Sequence, residues 1–134
     1  MALRLLSLVA VVFALASCAD GGFSTGPRQF SGVWLYEFEG STFVEGATEI
    51  PTERPDYKET DWLAGTEWTH LESLFEKHPE GEDCHVVQPF LLTFEGRKVT
   101  RLGGAGHMGL SRSEVTVHRL TSVKRLGPSF CYDR

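Results

Sequence analysis

Glu37 and Glu39 stand two residues apart in the run SGVWLYEFEG. In an extended chain that spacing puts both carboxylates on one face, with Cα atoms about 7 Å apart. Two carboxyls at such a separation suit acid–base work on a glycosidic bond. The strict alternation around them assigns a plainer part, the solvent-facing polar positions of a half-buried strand. Gly104, Gly106 and Gly109 in the run GAGHMG formally spell a dinucleotide-binding fingerprint. That fingerprint works only where a strand leads into a helix whose N-terminus meets a pyrophosphate. Here a β-branched, alternating segment follows, so the run reads as a glycine turn, with His107 donating to backbone carbonyls to lock it. Cys84, His85 and His107 have metal-ligand chemistry, but neither downstream thiol sits in a Cys-x-x-Cys spacing, and no metal is expected. His118 alternates with Val115 and Val117 and is expected to face solvent. No nucleophile elbow, no His-Glu-x-x-His and no phosphate loop occurs in the chain. No catalytic site and no cofactor are expected from these residues.

The third cysteine has a different context. Arg4 precedes an apolar run from Leu5 to Ala16, broken only by Ser7. The run falls short of the roughly 20 apolar residues that span a bilayer, but matches the apolar part of an export signal. Leu15-Ala16-Ser17-Cys18 closely resembles a bacterial lipobox, with small residues at the cut and a thiol to receive diacylglycerol. Cys18 is therefore the expected lipidation site, and the membrane is reached through a lipid anchor rather than a spanning segment. By the sorting rule of such proteins, Ala19 after the cysteine implies the outer membrane, facing the periplasm. Assigning Cys18 to lipid leaves Cys84 and Cys131 as an even pair in an oxidising compartment, which predicts one disulfide. Closing a loop of about 48 residues is worth roughly 4 kcal/mol in the chain-entropy model.

The elements that carry these residues follow from pattern. Residues 1–17 form the signal peptide, 18–29 a lipidated cysteine with a flexible Gly-rich tether, and 30–134 one β domain. From Ser31 to Val44 aromatic and polar residues alternate, predicting a long strand with a bulge or bend at Gly40. The polar stretch 45–61, with Pro51 and Pro55, reads as an exposed loop, and Asp61–Gly65 as a short strand. Thr66 suits a helix N-cap, and Trp68, Leu71, Leu74 and Phe75 share a face of a helix over about 67–78, stopped by Pro79. Val86–Val99 is strand-like, with Pro89 at a sheet edge or marking a start at Phe90, and 100–110 is glycine-rich. Ser113–Val123 forms the last strand. A long bent first strand and one helix ahead of the later strands predict a mainly β, α+β domain: a small antiparallel OB-like barrel with a helical plug.

The glycine turn, followed by Ser113-Glu114-Val115-Thr116-Val117, resembles the C-terminal signature of a group of small uncharacterised proteobacterial exported proteins. The Gly32-x-Trp34 strand with Glu39, Ser41 and Phe43 is similar to their first strand. The likeness covers roughly residues 31–123; Ala105 stands where an aromatic is common there, and the acidic insert at 45–60 is long. It implies a compact β-barrel-like lipoprotein and brings no activity to any residue.

The chain has 134 residues, 13 Lys+Arg against 18 Asp+Glu, and a net charge of −5. That composition fits one globular domain and excludes disorder and repeat arrays. Its acidic balance argues against nucleic acid as a partner, because such binding rests on neutralising phosphates. The charge is uneven: residues 19–83 hold 15 acidic and 4 basic side chains, whereas 84–134 hold 3 acidic and 8 basic. Either the two halves face each other in the fold, or the surface is polarised toward a charged partner. The expected role is a non-catalytic protein-interaction or accessory module of the cell envelope. The alternatives are an inhibitor of a cationic protein such as a lysozyme, and a barrel binding a small ligand or metal near His85 and His107.

Overall fold

Alternation beginning at Arg28 builds strand β2 (Arg28–Glu37) of the computed structural model, which describes residues 22–65, 67–76 and 84–132. Phe30, Trp34 and half-buried Tyr36 pack into the main core, while Val33 and Leu35 on the other face are also buried. Strand β3 (Gly40–Glu45) returns antiparallel, with Glu37 opposite Gly40. The predicted long strand bent at Gly40 is therefore a hairpin. Phe38 and Glu39 form its two-residue turn, and Glu39 adopts a left-handed φ of 57°.

Strand β4 (Asp61–Ala64) pairs with β3, and strand β5 (Gln88–Ala105) pairs antiparallel with β2. Strand β6 (Ser111–Arg125) pairs antiparallel with β5 and parallel with β4. The order β2-β3-β4-β6-β5 closes on itself through β5 and β6, giving the expected small OB-like barrel with one parallel pair. That pair exists because β5 lies beside β2 rather than beside β4, so β6, antiparallel on the other edge of β5, closes the barrel against β4, a strand of its own direction. A short strand β1 (Gly22–Ser24) extends the β2 edge of β5. The stretch 18–29 is thus not tether throughout: Thr25 N–H donates to Lys98 O at 2.9 Å, so the open edge of β5 satisfies the backbone of this glycine-rich segment.

Two further expectations change. Glu67–Leu74 is a 3-10 helix rather than an α-helix. Trp68, Leu71 and Leu74 lie three apart, the period that aligns side chains in a 3-10 helix, and with Phe75 they pack against the barrel core. Strand β5 also runs through the glycine-rich stretch as far as Ala105, with its register to β6 broken between Thr100 and Ala105. Pro89 lies inside β5, opposite Leu35; its carbonyl accepts from Leu126 N–H at 3.0 Å. The signal segment, Cys18, Thr66 and residues 77–83 lie outside the described residues. Among the described residues no helix is long and apolar enough to cross a membrane.

Aromatic stacking organises the core. Trp34 stacks on Trp68 with ring centres 4.4 Å apart, and Phe30 stacks on Phe94 at 5.3 Å. The Trp34 indole N–H donates to Ser41 Oγ at 2.9 Å, and Ser41 donates onward to Leu63 O at 2.7 Å. A second, smaller core lies outside the barrel, where Leu126, Phe130 and Tyr132 cover Val33, Leu35 and Val87. Val87 and Phe130 exchange backbone hydrogen bonds of 2.8 and 3.0 Å. The predicted disulfide joins Cys84 to Cys131, with Cα atoms 6.2 Å apart, and pins this C-terminal flap.

Candidate functional site

The β2–β3 turn and the loop behind it set the first wall of the site. With Glu37 and Gly40 paired, Phe38 is pushed outward and is 70% exposed. Asp56 caps the short 3-10 turn Tyr57–Glu59, its carboxylate accepting from Lys58 N–H at 2.9 Å. This brings Arg54 and Tyr57 onto Glu37. Arg54 Nη1 donates to both Glu37 carboxylate oxygens, at 2.8 and 3.0 Å, and the Tyr57 hydroxyl reaches the same group at 3.4 Å. Glu37 is only 5% exposed, so it is a buried, ion-paired anion rather than the solvent-facing glutamate that alternation predicts. The outer face of β2 is covered by the C-terminal flap, which a two-residue period cannot reveal. Burial lowers the Arg54 pKa, but the hydrogen bonds and charge of Glu37 outweigh it and raise the guanidinium above its ordinary value.

The β5–β6 loop sets the opposite wall. Gly104, Gly106 and Gly109 have φ values of 77, 72 and 69°, as a glycine turn requires, and β6 follows them. A side chain at Gly104 would collide with the Gly109 carbonyl, and one at Gly106 with the Trp62 indole. The loop thus lies flat on Trp62 because nothing but hydrogen projects from it there. Its closing hydrogen bonds are backbone ones, from Gly109 to Gly106 and from Leu110 to His107, both 3.3 Å. The His107 side chain is exposed and no hydrogen bond fixes it to a described residue, so the glycine conformations, rather than an imidazole clamp, shape the turn. His118 faces solvent as expected.

Between the two walls lies a cleft of about 470 Å³, lined among others by Phe38, Arg54, His85, His107, Leu110 and Tyr132. Burial, with the Glu37 charge, raises the Tyr132 hydroxyl above its ordinary pKa against the opposing pull of Arg54. A second pocket of about 670 Å³ adjoins it, floored by Trp34, Tyr36, Trp62, Trp68 and Phe75. Glu37, Glu39 and Gly40 line both and form the shared wall. His85 and His107 are therefore brought to one cleft. Cys84 also lines it but is bonded to Cys131, and no group of three or more His, Cys, Asp or Glu suited to a metal occurs among the described residues. The aromatic pocket was not legible as a site: its rings look like core positions in sequence, and only the crossing segment 67–75 sets them around a cavity.

Part of the charge asymmetry is neutralised within the fold. Lys98 Nζ lies 2.6 Å from Asp61 and 3.4 Å from Glu45, Arg112 lies 3.5 Å from Asp61, and Arg125 lies 3.1 Å from Glu76. Each pair joins the acidic half to the basic half. Burial raises the Glu45 carboxyl, yet Arg28 and Lys98 outweigh it and hold its pKa below 4.5; hydrogen bonds from Ser129, with Arg125, do the same for Glu76. A carboxyl depressed in the folded state contributes stability above its unfolded pKa and loses it as pH falls through the folded value. The urea midpoint is accordingly expected to hold from pH 7 to about 5 and to fall below pH 4.5, with Glu45→Gln shrinking that fall. An acid-insensitive midpoint would remove these pairs from the account.

Compared with protein-family models, with curated proteins and with solved structures, the chain matches none of them.

Proposed function

We propose that this chain is a membrane-anchored bacterial lipoprotein that serves the cell envelope as a non-catalytic protein-interaction module. Residues 1–17 direct export, Cys18 carries the lipid, and Ala19 sorts the protein to the outer membrane, facing the periplasm. Pairing of Cys84 with Cys131 supports the anchor reading, since it accounts for two of the three cysteines and leaves Cys18 for lipid. The observation that carries the interaction reading is the pair of exposed apolar residues, Phe38 and Leu110, facing one cleft from opposite turns. An apolar side chain of a partner protein entering that cleft would cover both.

A photo-crosslinking residue placed at Phe38 in cells is expected to capture one discrete envelope protein, while the same probe at Ser122 captures none. Equal yields at the two sites would defeat the interaction reading. Cys18→Ala is expected to abolish the lipid mass carried by the chain; a wild-type chain from membranes that lacks that mass would defeat the anchor. A second reading, a small-ligand site, is favoured by the two imidazoles on the cleft. Calorimetry with zinc, copper or envelope glycans that gives heat lost in His85→Ala would put that reading first. The inhibitor reading has less support, because Glu37, Glu45, Asp61 and Glu76 are already paired with cations.

A further inference from the structure

The tip of the β5–β6 hairpin presents a second surface, which meets the cleft only at Leu110. In the register of β1 on β5, Gly22 lies opposite Arg101 and Phe23 opposite Thr100. Side chains alternate along a strand, so Leu102, two residues past Thr100, projects on the same face as Phe23, as its diagonal neighbour. Phe23 is 88% exposed and Leu102 98% exposed. Two large apolar side chains held side by side in water on paired strands are costly unless something apolar receives them. Beside Leu102 the surface carries cations, of which Arg112 also lies 3.5 Å from Asp61. Lys58, Arg101 and Arg112 line a shallow hollow of about 340 Å³ together with Leu102 and Leu110, and no acidic residue lines it. In a chain of net charge −5, this end is locally positive.

We infer that this tip is the face on which the barrel rests on the lipid surface, with Phe23 and Leu102 entering the interfacial layer and the cations meeting anionic headgroups. The position of the anchor names the occupant. Cys18 precedes Gly22 by four residues, and at about 3.6 Å per residue the lipidated position stays within about 14 Å of the strand pair that carries Phe23 and Leu102. A bilayer holding that lipid lies within reach of this tip. Apolar side chains flanked by cations are the chemistry that binds an anionic interface, and beside the acyl chains on Cys18 they fix which face of the barrel meets it. This inference rests on the lipoprotein reading above. It adds an orientation: the barrel stands on its β5–β6 tip.

The test uses the full lipidated chain purified from membranes, its mass recorded, and reconstituted into vesicles of phosphatidylcholine and phosphatidylglycerol with brominated acyl chains. Leu102→Trp and Ser122→Trp replace exposed residues far apart along β6 and its partner. After subtraction of the native tryptophan signal, Leu102→Trp is expected to be quenched roughly twofold or more beyond Ser122→Trp, because interfacial residues sit about 5–10 Å into the acyl boundary. Adding Arg101→Glu should lower that quenching on phosphatidylglycerol vesicles and leave it unchanged on phosphatidylcholine alone. Equal quenching of the two tryptophans in protein of lipidated mass overturns the orientation while the anchor stands, and leaves the tip to an occupant other than lipid. A mass without lipid removes the anchor and the orientation with it.

Discussion

Trp34→Ala is expected to destabilise the protein by about 3–5 kcal/mol, the usual loss for a large buried aromatic. Trp34 is 1% exposed and contacts rings on three separate segments: Tyr36 beside it on β2, Phe90 on β5, and Trp68 and Phe75 on the segment that crosses the barrel end. Truncation opens a cavity that rigid strands cannot close, and Trp68 loses its stacking partner. Against a domain stability of about 5–15 kcal/mol, the change removes a large share of the folded population's margin. Trp34→Phe keeps most of the packing but leaves Ser41 without its indole donor, for a cost of about 1–2 kcal/mol. Urea unfolding followed by circular dichroism measures both. A Trp34→Ala loss no larger than that of Trp34→Phe would mean that the crossing segment does not rest on this ring.

Replacing Cys84 and Cys131 together by serine is expected to cost about 2–5 kcal/mol, as for other native disulfides in small exported domains. The separation of 47 residues makes the unfolded chain pay most of that difference through its gained freedom. Part of the loss has an address in the folded state. Leu126, Phe130 and Tyr132 lie over Val33, Leu35 and Val87, and the Val87–Phe130 bridge is the backbone seam that holds them there. Amide exchange at Val87 and Phe130 is therefore expected to speed up in the double variant by more than exchange at Phe94 or Val115 inside the barrel. A uniform acceleration across all four would place the whole effect in the unfolded chain and none in the flap.

Two-residue alternation in β2 and β6, the strand character of 86–99 and 61–65, and the apolar set on 68–75 were legible because each depends on neighbours a few residues apart. The same locality explains what was misread. Gly40 marked a change of direction, but only the pairing of Glu37 with Gly40 makes that change a hairpin. Trp68, Leu71 and Leu74 fit a helix of either kind, and packing on the barrel end selects the tighter one. Glu37 has the spacing of a surface glutamate; its burial comes from Arg54 and Tyr57, 17 and 20 residues away, and from the flap near the C-terminus.

The sequence by itself determined the export signal and its cysteine as expectations, the even cysteine pair, the β character, the OB-like class and the glycine turn. It also held the charge imbalance between halves, without its meaning. Tertiary structure alone decided that Lys98, Arg112 and Arg125 answer Glu45, Asp61 and Glu76 across the fold. It also set Phe38 against Leu110 over one cleft and Phe23 beside Leu102 at one tip. The division has one physical cause. Backbone preference and side-chain period act over a turn or a strand, whereas strand pairing and ion pairing join residues tens of positions apart once the barrel has closed.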